Sequence, residues 1–234
     1  MATFVLVHGA WGGAHGFRHV RRALSAAGHD ASTPSLTGIG ERSHLVSPQV
    51  GLGTHVADVV NHVLYEDLDD VVLVGFSYGG MVVTGALAHL AERVRSLVFL
   101  DAFVPADGDT VHGLLGRPVD DSSRPGAPWL VDGPRRAYDD PAEAAFSEPR
   151  RSPQPIRCFT EPVRLPRPLE DYPFARTYIR ATVPDPEAPG NTAFDDAAAR
   201  ARSSPAWRYA EITTTHLVAQ NRPAELTRLL LELA

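Results

Sequence analysis

The sequence predicts an α/β protein whose mostly parallel sheet is covered by helices on both faces. Three observations lead there. Short apolar runs alternate with segments of helical periodicity along most of the chain. The first run, "TFVLVHG", ends in a glycine-rich turn. Residues 71–83, "VVLVGFSYGGMVV", set Ser77 between glycines where an apolar run gives way to a helix of small residues.

Each element follows from its pattern. "TFVLVHG" is short, apolar and stopped by Gly9, which suits a buried strand. In "FRHVRRALSAAG", Phe17, Val20, Leu24 and Ala27 share a helical face, and Gly28 supplies a stop. "HDASTPSL" has room for a short strand. A helix is expected from Thr54 as cap, burying Val56, Val59, Val60, Val63 and Leu64. Then come a strand in "DVVLVG", a helix in "YGGMVVTGALAHLAER" and a strand in "VRSLVFLD".

From Pro105 to Pro173 prolines, glycines and charges crowd together and helical periodicity weakens. That is long for a bare loop, so residues 105–173 are expected to form a cap over the sheet's end. Trp129, Phe146 and Phe159 would give it an apolar underside. Residues 1–104 and 174–234 would form the core. Regular structure returns with the strand "RTYIRAT", the helix "FDDAAARAR" and the strand "WRYAEI". A last helix starts near Pro223 and buries Leu226, Leu229, Leu230 and Leu233.

Composition narrows the function. The 234 residues suit one domain with an insertion, and 44% are hydrophobic, enough for a core. A formal net charge of -6 and the lack of a basic block argue against nucleic acid or an anionic membrane as partner. All 22 basic residues are arginine, so no lysine can form a Schiff base or serve a P-loop. The single cysteine, Cys158, excludes an intramolecular disulfide and a multi-cysteine zinc site, and reads as a packed thiol. No basic stretch precedes the first apolar run, and no long apolar span follows. The expectation is a soluble, cytoplasmic monomer or homodimer that needs no cofactor and no metal.

"GFSYG" fits G-x-S-x-G, a short pattern that chance also produces; its strand-turn-helix setting is what makes it a nucleophile site. A serine hydroxyl needs a base, and the base an orienting acid. Of ten histidines, His216 follows the last predicted strand and so shares Ser77's end of the sheet. His55, His62 and His89 fall within helices and read as surface or packing residues. His15 and His19 have a spacing that could hold a metal, but without an acid cluster a surface pair fits better. His8 would shape the loop after the first strand.

For the acid, two residues remain open. Asp101 stands first beyond the strand "SLVFL". Asp185 follows the later strand "TYIRAT" in a proline-rich loop. Asp101 is preferred because a buried strand fixes it. The oxyanion donors would be the amides of Tyr78, next to the nucleophile, and Ala10, in the "HGAWGG" loop. That loop lacks G-x-G-x-x-G spacing, which disfavours a dinucleotide. Trp11, Phe103, Leu114, Trp129 and Val218 are the candidate pocket residues.

"LVHGAW", "GERSHL", "THVADVV", "VGFSYGGMV", "LVFLDAFVP", "SPQPIRCFTEPV", "RTYIRAT" and the late His216 with its leucine helix span nearly the whole chain in order. In these the chain resembles α/β-hydrolases, and more narrowly the small esterases grouped with plant methyl esterases, hydroxynitrile lyases and bacterial relatives. The resemblance implies the α/β-hydrolase fold with a small cap, a Ser-His-acid triad and the Ala10–Tyr78 oxyanion hole. It also supports Asp101, because "LDAFVP" resembles bacterial relatives without an acid after the later strand. Three departures stand out: Phe76 replaces the histidine that many relatives carry before the serine, Thr215 and Leu217 flank the base, and the lysine used by hydroxynitrile lyases is missing. The last argues against cyanohydrin cleavage.

The expected function is therefore hydrolysis of a small or medium apolar ester, lactone or thioester through an acyl-enzyme. Two alternatives stay open: cyclisation or other non-hydrolytic chemistry on the same scaffold, and a ligand-binding module that keeps its triad.

Overall fold

The computed structural model describes residues 1–117, 128–185 and 192–234. In chain order the strands and helices are β1 (Thr3–Val7), α1 (Arg18–Ala26), β2 (Asp30–Ser32), α2 (Leu52–Tyr65), β3 (Val71–Phe76), α3 (Gly79–Leu90) and β4 (Val94–Leu100). Next come α4 (Val111–Leu114), β5 (Leu130–Val131), α5 (Pro141–Ser147), β6 (Gln154–Pro155) and α6 (Arg157–Thr160). The chain then gives β7 (Ala175–Ala181), α7 (Thr192–Ser203), β8 (Arg208–Ile212), α8 (Val218–Asn221) and α9 (Pro223–Leu231).

Six strands form one sheet in the order β2-β1-β3-β4-β7-β8. Every neighbouring pair in it is parallel. Alternate residues of the central strands feed two separate cores, as the pleat requires. Val5, Val7, Leu73, Leu97 and Phe99 pack under α2, α3 and α7. Phe4, Leu6, Val72, Val74 and Val98 pack under α1 and α9. The near-continuous apolar runs of β1, β3 and β4 follow from burial on both faces.

Some details differ from expectation. Ala27 is exposed because α1 ends at Ala26 and the chain turns at Gly28, whose φ of +86° suits glycine. α2 starts at Leu52, so Thr54 lies inside its first turn and its hydroxyl accepts from the Gly51 amide at 3.4 Å. Leu64 faces solvent, while His55 takes the buried face instead. In α9, Leu226 and Leu230 are buried and Leu229 is half-buried, as is Leu233 beyond the helix end.

Within 128–173, β5 and β6 make a two-residue antiparallel ladder. Phe159 is buried in the core cluster beneath α2 and α3. Trp129 and Phe146 are only half-buried, and Phe146 lies between the guanidiniums of Arg18 and Arg150. Residues 118–127 of the expected cap, and 186–191 of the loop after Asp185, fall outside the described residues. Among the described residues no helix is long and apolar enough to cross a membrane.

Candidate active site

The site forms where four parallel strands reach their C-terminal ends, the usual crevice of open α/β sheets. Ser77 follows β3 directly and has φ +55°, a left-handed conformation costly for a residue with a side chain. The turn is fastened by the Ser77 amide donating to Leu100 O at 3.2 Å and by Ser77 O accepting from the Phe103 amide at 3.2 Å. Close packing explains the glycines behind it. A Cβ on Gly79 would stand 2.6 Å from Val7 O, and one on Gly80 would stand 2.1 Å from Phe103 O. Those are backbone atoms and cannot swing away.

His216, beyond β8, faces Ser77 Oγ through Nε2 at 2.9 Å. Its Nδ1 donates to Asp101 Oδ2 at 2.7 Å. Asp101 directly follows β4 and has φ +42°. Its Oδ1 accepts from the Ala181 amide at 3.1 Å and from Arg180 Nη1. Burial would raise the Asp101 pKa, but the bond from His216 and the Arg180 charge outweigh it and hold the carboxyl below its ordinary value. For His216 burial is the largest influence and lowers the pKa; Asp101 offsets part of this, and the Arg136 charge lowers it further. The imidazole therefore stays neutral, free to accept a proton, down to a lower pH than an exposed one.

Asp185 takes a different place. It is buried and pairs with Arg136 Nη1 at 2.9 Å, beside the His216–Asp101 pair rather than within it.

The β1 loop closes over Ser77, since a Cβ on Gly9 would lie 3.0 Å from Ser77 Cβ. His8 sets the first peptide of that loop. Its Nε2 accepts from the Leu36 amide at 3.1 Å, so the proton sits on Nδ1, which donates to Gly9 O at 2.9 Å. The Gly9 carbonyl and Ala10 N–H share one planar trans peptide and point opposite ways, so His8 also aims the Ala10 N–H. Among the described residues no protein acceptor takes the Ala10 or the Tyr78 amide. The Tyr78 side chain instead enters the core, where its hydroxyl donates to His55 Nδ1 at 2.9 Å while His55 Nε2 donates to Thr37 O at 2.8 Å. Burial drops the His55 pKa to about 4.

A cavity of about 50 Å³ opens beside Ser77 and His216, with Ala10 and Trp11 in its wall. Phe103, Leu114, Trp129 and Val218 do not line it. Phe103 packs on Phe194, Val218 is sealed in the core under α1, Leu114 packs on the other core, and Trp129 carries Ile156 through its carbonyl. Arg136, Arg151, Tyr138 and Gln220 share the wall instead, so it is more polar than expected. Neither Arg136 nor Arg180 was singled out in the sequence. Arg180 carried a faint signal, a second charge in the otherwise uncharged strand "RTYIRAT".

His15 and His19 do not face a common point; His15 lies 3.6 Å from Glu41 and His19 3.6 Å from Glu143. Cys158 is buried, and burial pushes its thiol up to about 12. Among the described residues no group of three or more histidine, cysteine or acidic side chains could hold a metal.

A match to the alpha/beta hydrolase family runs from residue 4 to residue 229. The chain belongs to that family. Its curated relatives carry different activities in their names. It is 54% identical over 115 residues to the carbendazim hydrolyzing esterase of Nocardioides sp. (strain SG-4G), covering 49% of this chain and 48% of that protein. It is 32% identical over 111 residues to methylesterase 1 of Arabidopsis thaliana, covering 47% and 41%. The matches thus span about half the length of these curated relatives or less. An extracellular alpha/beta-hydrolase from a Paenibacillus species superposes with a TM-score of 0.81 at 23% identity, over 100% of this chain and 99% of the other, a likeness of fold.

Proposed function

We propose that this alpha/beta hydrolase is a serine esterase that cleaves small esters, lactones or thioesters through an acyl-enzyme. The observation that carries this reading is the unbroken line from Ser77 Oγ through His216 to Asp101, with spacings of 2.9 and 2.7 Å, behind a serine strained to φ +55°. Ser77 attacks the substrate carbonyl while His216 Nε2 takes its proton. Asp101 holds the imidazole by Nδ1 and supports the imidazolium that forms. The Ala10 and Tyr78 amides, uncommitted to protein acceptors among the described residues, hold the oxyanion. His216 gives its proton to the leaving group, and water then releases the acyl group by the same route in reverse. Residues 105–173 act as the cap.

The named esterase relatives support hydrolysis, and a cavity of about 50 Å³ supports a small acyl group. Its two guanidiniums widen the expected apolar substrates to those bearing a polar acceptor. The test is covalent: a fluorophosphonate probe labels Ser77, and labelling and nitrophenyl-ester turnover vanish in Ser77→Ala. Labelling at another serine, or turnover in the alanine variant, would overturn the reading.

A further inference from the structure

Trp11 follows Ala10 in the chain and has φ +59°, a conformation that a bulky residue adopts only when its surroundings impose it. Those surroundings are the cap. The Trp11 amide donates to Gln154 Oε1 at 2.9 Å. The Trp11 carbonyl accepts from the Ser152 amide at 3.1 Å. The indole Nε1 donates to Val131 O at 2.9 Å, and the ring lies 5.3 Å from that of Phe159. Every polar group of Trp11 thus ends on the β5–β6 ladder or its flank. Gln154 is wholly buried, and only its oxygen can face an N–H.

These contacts bear on Ala10. The Trp11 amide belongs to the peptide joining residues 10 and 11, so Gln154 fixes the plane that follows Ala10, as His8 fixes the plane before it. With both planes held, the Ala10 N–H has one direction. We infer that Gln154 is a positioning residue: by clamping Trp11 it aims the Ala10 amide at the oxyanion, so the hole is complete only when the β5–β6 ladder is docked. This rests on the serine esterase reading above.

An oxyanion donor acts mainly in the transition state, so misaiming it lowers kcat and leaves KM nearly alone. Gln154→Met keeps the length of the side chain but offers the Trp11 amide no good acceptor; Gln154→Glu restores an acceptor oxygen. With p-nitrophenyl acetate, Gln154→Met should lose about tenfold or more in kcat, below the about 10²–10³ seen when a donor is removed outright. KM should stay within about twofold. Affinity for an aryl trifluoromethyl ketone, which forms a tetrahedral oxyanion on the serine, should fall with kcat, and Gln154→Glu should recover most of both. Trp11→Phe drops only the indole bond and should show a smaller fall in kcat, which covers the case in which Gln154→Met does not fold. Unchanged kcat in folded Gln154→Met, a loss confined to KM, or equal losses in the Met and Glu variants would overturn the inference. Failure of the wild type to be phosphonylated at Ser77 would instead defeat the esterase reading itself.

Discussion

Asp101 and His216 stand 115 positions apart in sequence and meet at 2.7 Å. The meeting is made by β4, which delivers Asp101 to the crevice, and by the loop beyond β8, which carries His216. Asp185 is engaged with Arg136 instead. In the proposed triad, replacing Asp101 by Asn would remove the charge that supports the imidazolium and favour the wrong tautomer, a change that costs about 10⁴ in a serine protease triad. Asp101→Asn should therefore lose at least about a hundredfold in kcat. Asp185→Asn should keep kcat near wild type and lose about 1–3 kcal/mol of stability by weakening the partner of a half-buried guanidinium. Steady-state kinetics and urea unfolding of both variants check this, and the reverse pattern of kcat would move the acid to Asp185.

The pH profile follows from the direction of the His216 shift. As the proposed base, His216 would work when neutral, and burial holds its pKa below the ordinary 6.5. Esterase activity should rise with pH through a midpoint below that value and level off by about neutrality. The Arg136 charge lowers this pKa, while Asp185 raises it. Arg136→Met removes the first and frees the second, so the midpoint should move up. A midpoint that stays put or moves down would show that Arg136 does not act on His216.

The strain at Ser77 can be read in stability. A side chain at φ +55° costs about 1–2 kcal/mol relative to glycine. Ser77→Gly should therefore unfold at higher urea than Ser77→Ala, with both inactive. Equal midpoints would mean that the turn is not strained in solution.

Gly80 makes the opposite case. Its neighbour is the Phe103 carbonyl, 2.1 Å from where a Cβ would stand, and that carbonyl belongs to the chain that fastens the Ser77 turn. Gly80→Ala should cost about 3 kcal/mol of unfolding free energy. Gly85→Ala should cost less, because its nearest obstacle at 2.7 Å is a Val56 methyl group that can shift.

Cys158 should resist iodoacetamide in the native protein and react once urea unfolds it. Its thiol is buried and pushed up to about 12, so almost no thiolate is present at neutral pH. Rapid alkylation of the folded protein would contradict that burial.

The sheet and its order of elements were legible because burial on both faces leaves apolar runs that only a covered parallel sheet explains. The turn at Ser77 was legible because it demands glycines at fixed offsets, where a Cβ would meet backbone atoms. The cavity wall could not be read in the same way. Phe103 and Val218 are apolar residues near the site in sequence, yet packing, which has no local signature, sends both into the core. Arg136 and Gln154 come from segments with weak periodicity, whose path over the sheet depends on contacts made far away in the chain. His55 reads as a surface or packing residue, and it packs, whereas Leu64, expected on the buried face of α2, faces solvent.

The sheet order has a further consequence for how the protein comes to be active. β1, β3 and β4 sit together at the centre and are complete by residue 100, whereas β8 lies at the edge and His216 is 139 positions after Ser77. Contacts that close such long loops form late, since chain entropy must be lost before they repay it. During refolding, the apolar centre can collapse and fluorescence can recover while Ser77 still lacks His216, its proposed base. Regained turnover is thus a clock for the last strand, and it is expected to lag the recovery of helix content whenever β8 docks slowly.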